Sequence, residues 1–295
     1  MTSYQIVILQ SDGTTFSESS ECLGSDNTIM TNMYCDVLMS TLRAAPYSLE
    51  FDDEIYAKVA ATNGIGQSEF SDLNASPPTM QTVPEAPTGL ARDGTTSETQ
   101  LVLDWSVLTG DDTGGAAIDS YNVQWSTSGT STWVDVQGED GSYDTSNTAT
   151  ASVPSGEEGD YFDFRVRAHN VHGWGSFSST FSLLAASAPE ATTAPTTSVS
   201  NEDVVISWAA PADDNSSAVT SYNVYIKNSL GAYVLESEHC SGSTVFAALS
   251  CSVPMSKFSG TYGHAAGVTV EAYVTSENII GESPASPDSS TAASV

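Results

Sequence analysis

The chain has 295 residues, of which 39% are hydrophobic, so it is long enough for two or three domains with ordinary cores. Lys and Arg number 7 against 37 Asp and Glu, which gives a formal net charge of -30 at pH 7. Such a surface repels nucleic acid and anionic membranes, and no apolar run reaches transmembrane length, so we expect neither nucleic-acid binding nor direct membrane insertion.

Alternation of apolar and polar residues recurs along the chain and begins at residues 4–9. One sequence pattern occurs three times: an alternating segment that ends in Asn and is followed by a glycine-containing turn. Its copies are residues 55–63, 162–170 and 270–278. Period-two alternation predicts half-buried strands. Self-similarity at a spacing of about one hundred residues predicts three modules. No long segment has helical periodicity, so the predicted fold class is all-β.

The middle third of the chain shows the most complete set of predicted elements. It opens with a stiff, proline-containing linker at residues 84–87. An Asp- and Gly-rich loop, residues 110–115, follows the strand that ends in Trp105. The predicted strands are residues 101–105, 121–125, 133–136, 148–153, 162–170 and 177–184.

The last third repeats this order of elements. A linker rich in Thr, Ala and Pro occupies residues 189–195, and a strand at 204–208 ends in Trp208. An acidic loop at 211–217 then leads into a strand at 222–226. The repetition predicts the same fold for both thirds.

A strand ending in Trp, an acidic or Gly-rich loop, a Tyr-x-Val strand and a closing strand that ends in Asn together resemble the fibronectin type III family. The resemblance covers nearly the whole chain and implies tandem Ig-like β-sandwiches of two sheets packed face to face. We therefore predict module 1 at residues 1–83, module 2 at 84–188 and module 3 at 189–295, the last with a polar C-terminal tail.

The chain departs from the family at the start of each closing strand, where a tyrosine usually anchors a corner through its hydroxyl. Ile55, Phe162 and Val270 stand at these positions. We expect apolar packing to replace the corner hydrogen bond.

Module 1 is shorter than the other two. Residues 4–9 align with the third strand of the fold, so the two N-terminal strands and their Trp are missing, which would leave an apolar face and an open edge. Either the chain is a segment of a longer array, with Met1 internal or artificial, or a neighbouring molecule supplies the strands by β-augmentation. The C-terminal tail is too polar and proline-rich to be that donor, which favours the longer array.

The four cysteines form two pairs at matching places in modules 1 and 3, and module 2 has none. Paired presence and absence predicts the disulfides Cys22–Cys35 and Cys240–Cys251. Each would contribute roughly 3 kcal/mol by constraining the unfolded chain. The absence of a Cys-x-x-Cys spacing disfavours zinc. Disulfides predict an extracellular or cell-surface location.

Two further features concern modification and metal binding. Asn74 and Asn215 begin acceptor tripeptides for N-linked glycosylation in predicted loops or linkers, although a proline after Ser76 makes the first less favourable. The aspartate pairs Asp111, Asp112 and Asp213, Asp214 occupy the same loop in two modules. We interpret them as turn formers. The alternative is a weak Ca²⁺ site, for which two carboxylates are too few because Ca²⁺ takes about six to eight oxygens.

No catalytic or cofactor-binding motif stands out, and the four histidines are scattered. We expect no enzyme activity and no cofactor. The first hypothesis is a structural extracellular protein, a rod-like or filament-forming array that serves as spacer or fibre subunit and contacts copies of itself or neighbouring modules. One alternative is an adhesion or receptor ectodomain that binds a protein or glycan through its loops. Another is a set of accessory modules of a secreted enzyme. Fold alone does not choose among them.

Overall fold

A computed structural model of the chain describes residues 1–139, 141–291 and 293–295. Its named strands pair antiparallel and fall into three groups along the chain. Each group surrounds its own cluster of buried hydrophobic side chains. The fold class is therefore all-β, as the alternating pattern predicted.

Module 2 is a sandwich of two sheets. The first sheet has the order β4-β5-β8, and the second has the order β10-β9-β6-β7, with β11 also pairing with β9. Its strands are β4 (Ala91–Arg92), β5 (Gln100–Asp104), β6 (Ser120–Thr127), β7 (Val134–Gln137), β8 (Thr148–Ser152), β9 (Tyr161–Asn170), β10 (Gly173–Trp174) and β11 (Phe181–Leu184). A 3-10 turn spans Gly110–Thr113. Alternation points Phe162, Phe164 and Val166 into the core, where Trp105 packs edge-on against Tyr121 at 5.6 Å between ring centroids.

Module 3 repeats this arrangement with sheets β12-β13-β16 and β15-β14-β17. Its strands are β12 (Thr196–Ser200), β13 (Asp203–Ser207), β14 (Ser221–Lys227), β15 (Tyr233–Leu235), β16 (Ser250–Pro254) and β17 (Ala272–Glu277). Two short helices, α3 (Ser243–Ala248) and α4 (Met255–Gly260), flank β16. Trp208 and Tyr222 are again 5.6 Å apart.

The polar C-terminal tail belongs to module 3 and runs along β17. Ser283 donates its N–H to the Ser276 carbonyl at 2.8 Å and accepts the Ser276 N–H on its hydroxyl at 3.0 Å. Ser178 makes the same pair of bonds to Val166 in module 2. A serine hydroxyl thus replaces a backbone carbonyl as acceptor, which explains how so polar a segment can complete a sheet.

Module 1 has a single sheet, β2-β1-β3, made by β1 (Ser3–Leu9), β2 (Phe16–Ser17) and β3 (Ala57–Thr62). A 3-10 turn spans Ser20–Cys22, and the helices are α1 (Asn27–Asn32) and α2 (Met39–Arg43). Its core is small: Ile8, Leu42, Tyr47, Leu49 and Met80. Residues 1–83 contain no counterpart of β4 and β5, as predicted, and residues 35–38, which match β16, form no strand.

Three details differ from the sequence-based expectations. The last strand of module 2 begins at Phe181 rather than at residue 177, and Gly173–Trp174, expected as part of a turn, is a short strand paired with β9. The four helices were not predicted, because elements of five or six residues are too short to show a 3.6-residue period.

At the corner positions, Phe162 and Val270 are buried, so apolar packing occupies these two places, as expected.

Candidate functional site

The most regular polar feature of modules 2 and 3 is the end of the closing strand, where an asparagine holds the entering linker. The linker is taken here with the two residues before its predicted start, as residues 82–87 and 187–195. In module 2, Asn170 is fully buried, and its Nδ2 donates to the carbonyls of Thr82 at 2.7 Å and Thr113 at 2.9 Å. Its Oδ1 accepts the N–H of His172 at 2.8 Å. One side chain therefore ties together the linker, the acidic loop and the turn after β9.

Asn278 does the same in module 3. Its Nδ2 donates to the carbonyls of Ser187 at 2.8 Å, Ser217 at 3.1 Å and Asp214 at 3.2 Å, and its Oδ1 accepts the N–H of Ile280 at 2.9 Å. The match of partners extends to the linker residue, the acidic loop and the turn. In the sequence, the recurring Asn served only to identify the three repeats. Its position at the end of each closing strand was the signal from which its role in holding the linker could have been predicted.

Backbone hydrogen bonds between linker and acidic loop complete both junctions at matching positions. The linker N–H groups donate to loop carbonyls as follows: Thr82 to Gly114 at 2.8 Å, Glu85 to Asp112 at 2.9 Å, Ser187 to Asn215 at 3.1 Å, and Glu190 to Asp213 at 3.0 Å. The acidic loops therefore bind the linkers through backbone hydrogen bonds, and the chain enters modules 2 and 3 in the same direction.

Gly114 allows the linker of module 2 to approach its acidic loop closely. Its φ is +71°, and an added Cβ would lie 2.3 Å from the carbonyl oxygen of Thr82. No side chain fits there without moving the linker, so the glycine is required by the close approach of the two backbones.

Side chains also cross from module 1 to module 2. Arg43 lies over the Phe51 ring at 4.1 Å and pairs with Asp111 at 2.6 Å. Gln81 donates from Nε2 to Asp52 and to the Gly115 carbonyl, both at 2.8 Å. The Arg43–Asp111 pair is largely exposed, so it orients the modules more than it stabilises them.

The structure gives the four predicted Ca²⁺ candidates other partners. Asp111 pairs with Arg43, and Asp213 accepts the N–H of Asn215 at 2.8 Å, closing a turn. Asp112 and Asp214 contribute backbone carbonyls to the junctions. Among the described residues, no three His, Cys, Asp or Glu side chains gather as a set that could hold a metal ion. This geometry gives the Ca²⁺ hypothesis no support.

Both predicted cysteine pairs are bonded in the structure. The Cα atoms of Cys22 and Cys35 are 5.4 Å apart, and those of Cys240 and Cys251 are 5.0 Å apart. Each bond joins the end of a loop to the segment that follows a short helix, α1 in module 1 and α3 in module 3. The two modules thus share a disulfide-braced helix that module 2 lacks.

The two predicted glycosylation sites use their side-chain amides in the fold. Asn74 donates from Nδ2 to the Ile55 carbonyl at 3.1 Å and accepts the Ala57 N–H at 2.8 Å. Asn215 donates from Nδ2 to the Ala188 carbonyl at 2.6 Å, beside the second junction. N-linked sugar would attach at these nitrogens, and glycosylation stays a prediction.

The outward face of module 2 carries a ladder of alternating cations and aromatic rings, here called the aromatic ladder: Trp133, Arg165, Phe177, Arg167 and Trp174. The Arg165 guanidinium lies 4.1 Å from the ring centroids of both Trp133 and Phe177, and that of Arg167 lies 4.6 Å from those of Phe177 and Trp174. Partial burial beneath the rings lowers the pKa of Arg165 from its ordinary value. Two of the seven Lys and Arg residues of the chain lie in this ladder, where cation–π contacts pair them with the rings.

The aromatic ladder ends in a small aromatic cluster. His169 lies 4.7 Å from Trp174 and 4.9 Å from Tyr143, measured between ring centroids, and Tyr143 is 53% exposed. Trp174 therefore packs over its own module. The sequence signal was the polar side of β9, whose Arg, Arg and His residues share one face.

A buried carboxylate in module 3 positions the chain next to a disulfide. Glu236 is 3% exposed and accepts from the Tyr262 hydroxyl at 2.5 Å and from the N–H groups of Glu238 and His239 at 3.0 and 3.1 Å. Burial alone would raise the pKa of Glu236, but these hydrogen bonds to the charged form bring it below its ordinary value.

The described residues include no helix that is long and apolar enough to cross a membrane. Their most regular polar features are the two buried asparagine junctions and the flat aromatic ladder of module 2, all built on β-sandwiches.

The family comparison agrees with the β-sandwich seen in module 2. The Fibronectin type III domain family matches residues 85–183, which are nearly all of module 2. The chain therefore contains a fibronectin type III domain at residues 85–183. Among solved structures, it is similar to the crystal structure of the chicken CNTN1 FN1–FN3 domains, with a TM-score of 0.44 and 17% sequence identity over 97% of this chain and 87% of that chain.

The family match supports a general class of function and location. Fibronectin type III sandwiches are typical of cell-surface and extracellular proteins with adhesion, receptor or structural roles. Disulfide bonds persist in oxidising environments. Together these observations indicate an extracellular or cell-surface protein of this class.

Proposed function

We propose that residues 1–295 act as a semi-rigid extracellular spacer, a structural rod that contacts neighbouring modules or copies of itself. The observation that carries this proposal is the repeated junction. Asn170 and Asn278 hold their linkers through matching hydrogen bonds, so the chain enters modules 2 and 3 in the same way. A repeated junction gives each module the same orientation relative to the linker that enters it, and a spacer of defined length needs such regularity.

Surface area supports an extended shape. The accessible surface is 14997 Å², whereas a compact monomer of 30.8 kDa would expose about 11,900 Å². Within the described ranges, no hydrogen bond or ion pair joins residues 1–79 to module 3. The high negative charge favours separation of the modules further, because like charges repel.

Small-angle X-ray scattering of the full chain tests the proposal. A compact body of 295 residues has a radius of gyration of roughly 19 Å, and we expect a value well above this. The double variant Asn170→Ala, Asn278→Ala is expected to broaden the distance distribution, since both clamps are lost. A wild-type radius near the compact value would contradict the spacer role. Electron microscopy of native material would show whether rods join into filaments.

A second candidate function, adhesion or partner binding, is favoured by the aromatic ladder and its exposed end at Tyr143. Flat aromatic faces beside a cation suit sugar rings or acidic peptide segments. A glycan array probed with the full chain tests this role, with Tyr143→Ala expected to abolish any signal and Tyr225→Ala, on the outward aromatic face of module 3, expected to keep it. The third hypothesis, accessory modules of a secreted enzyme, has no observation of its own in its favour.

A further inference from the structure

Module 1 carries an open apolar groove that is filled in modules 2 and 3. The groove has a volume of about 380 Å³. It lies between Tyr4, Ile6 and Val59 of the sheet on one side and Ile29 of α1 and the residue that caps α1, Met33, on the other. The exposure of one residue, Val59, shows that the groove is open to solvent. Val59 pairs with Ile6 and is 42% exposed.

The equivalent position is fully buried elsewhere. Val274 pairs with Val224 in module 3, and Val166 pairs with Val123 in module 2, and both Val274 and Val166 are 0% exposed. The same strand register therefore gives a dry core position in two modules and a surface position in module 1. The difference lies in what covers the sheet.

In modules 2 and 3 the cover is a two-stranded hairpin that ends in tryptophan. β4 and β5 lead to Trp105, and β12 and β13 lead to Trp208, each ring 5.6 Å from the tyrosine that corresponds to Tyr4. Modules 2 and 3 of this chain thus show which structure fits over such a sheet.

Module 1 also has a free backbone edge where that hairpin would pair. In module 3, β13 pairs antiparallel with β16, with Ile206 opposite Cys251. The matching segment of module 1, residues 35–38, begins at the corresponding disulfide cysteine and follows the same kind of short helix, but it has no strand partner. The N–H groups of Cys35, Asp36 and Val37 donate to no backbone carbonyl among the described residues. These are the groups that an added strand would satisfy.

Asn63 provides an independent sign that this end of module 1 can accept a further segment. Its Oδ1 accepts the N–H groups of Ile65 at 2.8 Å and Gly66 at 3.2 Å, as the clamp asparagines do in their modules. Unlike Asn170 and Asn278, it is exposed, and its Nδ2 has no hydrogen-bond partner in the described part of the chain. The two donors of this amide are positioned for a linker and an acidic loop, as in modules 2 and 3.

We propose that the groove of module 1 is an acceptor site for a β-hairpin of a partner polypeptide. The second strand of that hairpin has apolar residues at alternate positions, ends in Trp and pairs antiparallel with residues 35–38. Within the described residues the chain has no spare donor. β4–β5 and β12–β13 cover their own modules, and residues 283–289 run along β17. Residues 290, 291, 293 and 295 bond to residues 195–197 or 267–270 of module 3. A folded second copy has no spare hairpin for the same reason.

The test uses the full chain and a labelled peptide with the sequence of residues 187–218, which contains the linker, β12, β13, Trp208 and the acidic loop. Fluorescence anisotropy is measured in about 0.15 M salt, where charge repulsion is screened beyond about 8 Å. We expect saturable binding below about 1 mM, the range open to a peptide that must order on binding. Hydrogen exchange at residues 35–38 should slow when the peptide is added.

Matched variants locate the site. Val59→Arg fills the groove and should weaken binding at least about tenfold, whereas Val134→Arg, on an exposed strand of module 2, should not change it. Asn63→Ala in the chain and Trp208→Ala in the peptide should each weaken binding several-fold. Binding that Val59→Arg leaves intact would place the peptide on another module and overturn the proposal, as would the absence of binding. A dimer of the free chain that Val59→Arg dissociates would also overturn it, since the occupant would then be a second copy.

Discussion

Replacing the clamp asparagine of module 2 gives the sharpest test of how the junctions work. Asn170→Ala removes two hydrogen bonds to the carbonyls of Thr82 and Thr113 and one from the N–H of His172, all at 2.7–2.9 Å around a side chain that is fully buried. Each lost bond costs about 1 kcal/mol, and stranded buried carbonyls cost more, so we expect a destabilisation of about 3 kcal/mol.

A matched control exists in the same chain. Asn63→Ala removes the equivalent turn bonds to Ile65 and Gly66, but Asn63 is exposed and water can replace them. We expect this variant to cost less than about 1 kcal/mol. The difference between the two variants isolates the clamp from the turn.

Hydrogen exchange followed by mass spectrometry suits a protein of several modules, for which a single unfolding free energy is not well defined. The expected loss corresponds to about a hundredfold faster exchange in β9 and in the linker at residues 82–85 of the Asn170→Ala protein. The reasoning fails if exchange there changes less than about threefold, or if Asn63→Ala has the same effect in its own module.

Three further predictions use the same assay. Replacing Cys240 and Cys251 together by Ala should destabilise module 3 by about 3 kcal/mol and leave module 2 unchanged, because the bond closes a loop of 11 residues in sequence separation within module 3 alone; faster exchange in module 2 would contradict this. Gly114→Ala should loosen the linker by more than about 1 kcal/mol, whereas Gly129→Ala, with φ of +81° but nothing within 4 Å, should show only the cost of backbone strain; equal effects would refute the close-approach argument. Because the folded pKa of Glu236 is depressed, its contribution to stability is present above its ordinary pKa and is lost as pH falls through the folded value. Acidification should therefore speed hydrogen exchange in module 3, and Glu236→Gln should make that increase smaller. An unchanged pH profile in the variant would contradict a stabilising role for the Glu236 carboxylate.

The strands were predictable because a single physical rule decides them. In β9 the apolar residues Phe162, Phe164 and Val166 alternate with charged ones, and burial of one face selects that register over any other. The missing hairpin of module 1 was predictable for the same reason, since Tyr4 could be aligned with Tyr121 and Tyr222.

Other features depend on contacts that no local pattern encodes. The helices α1 and α3 are only six residues long and lie beside the disulfides, so their sequences are too short to show a helical period. The clamp by Asn170 joins residues separated by 57 and 88 positions, and the aromatic ladder joins β9 to Trp133 and Phe177. Such pairings follow from the closed sandwich and become visible only when the sheets are in place.

The serine-rich segment along β17 has a consequence for folding. Ser283 and Ser286 offer hydroxyls to β17, and each is followed by a proline that has no N–H to offer to a further strand. The outer border of this sheet is therefore poorly able to recruit another chain. Similar modules that emerge one after another from the ribosome are prone to pairing with the wrong neighbour, and a border capped in this way lowers that risk at the point where module 3 ends.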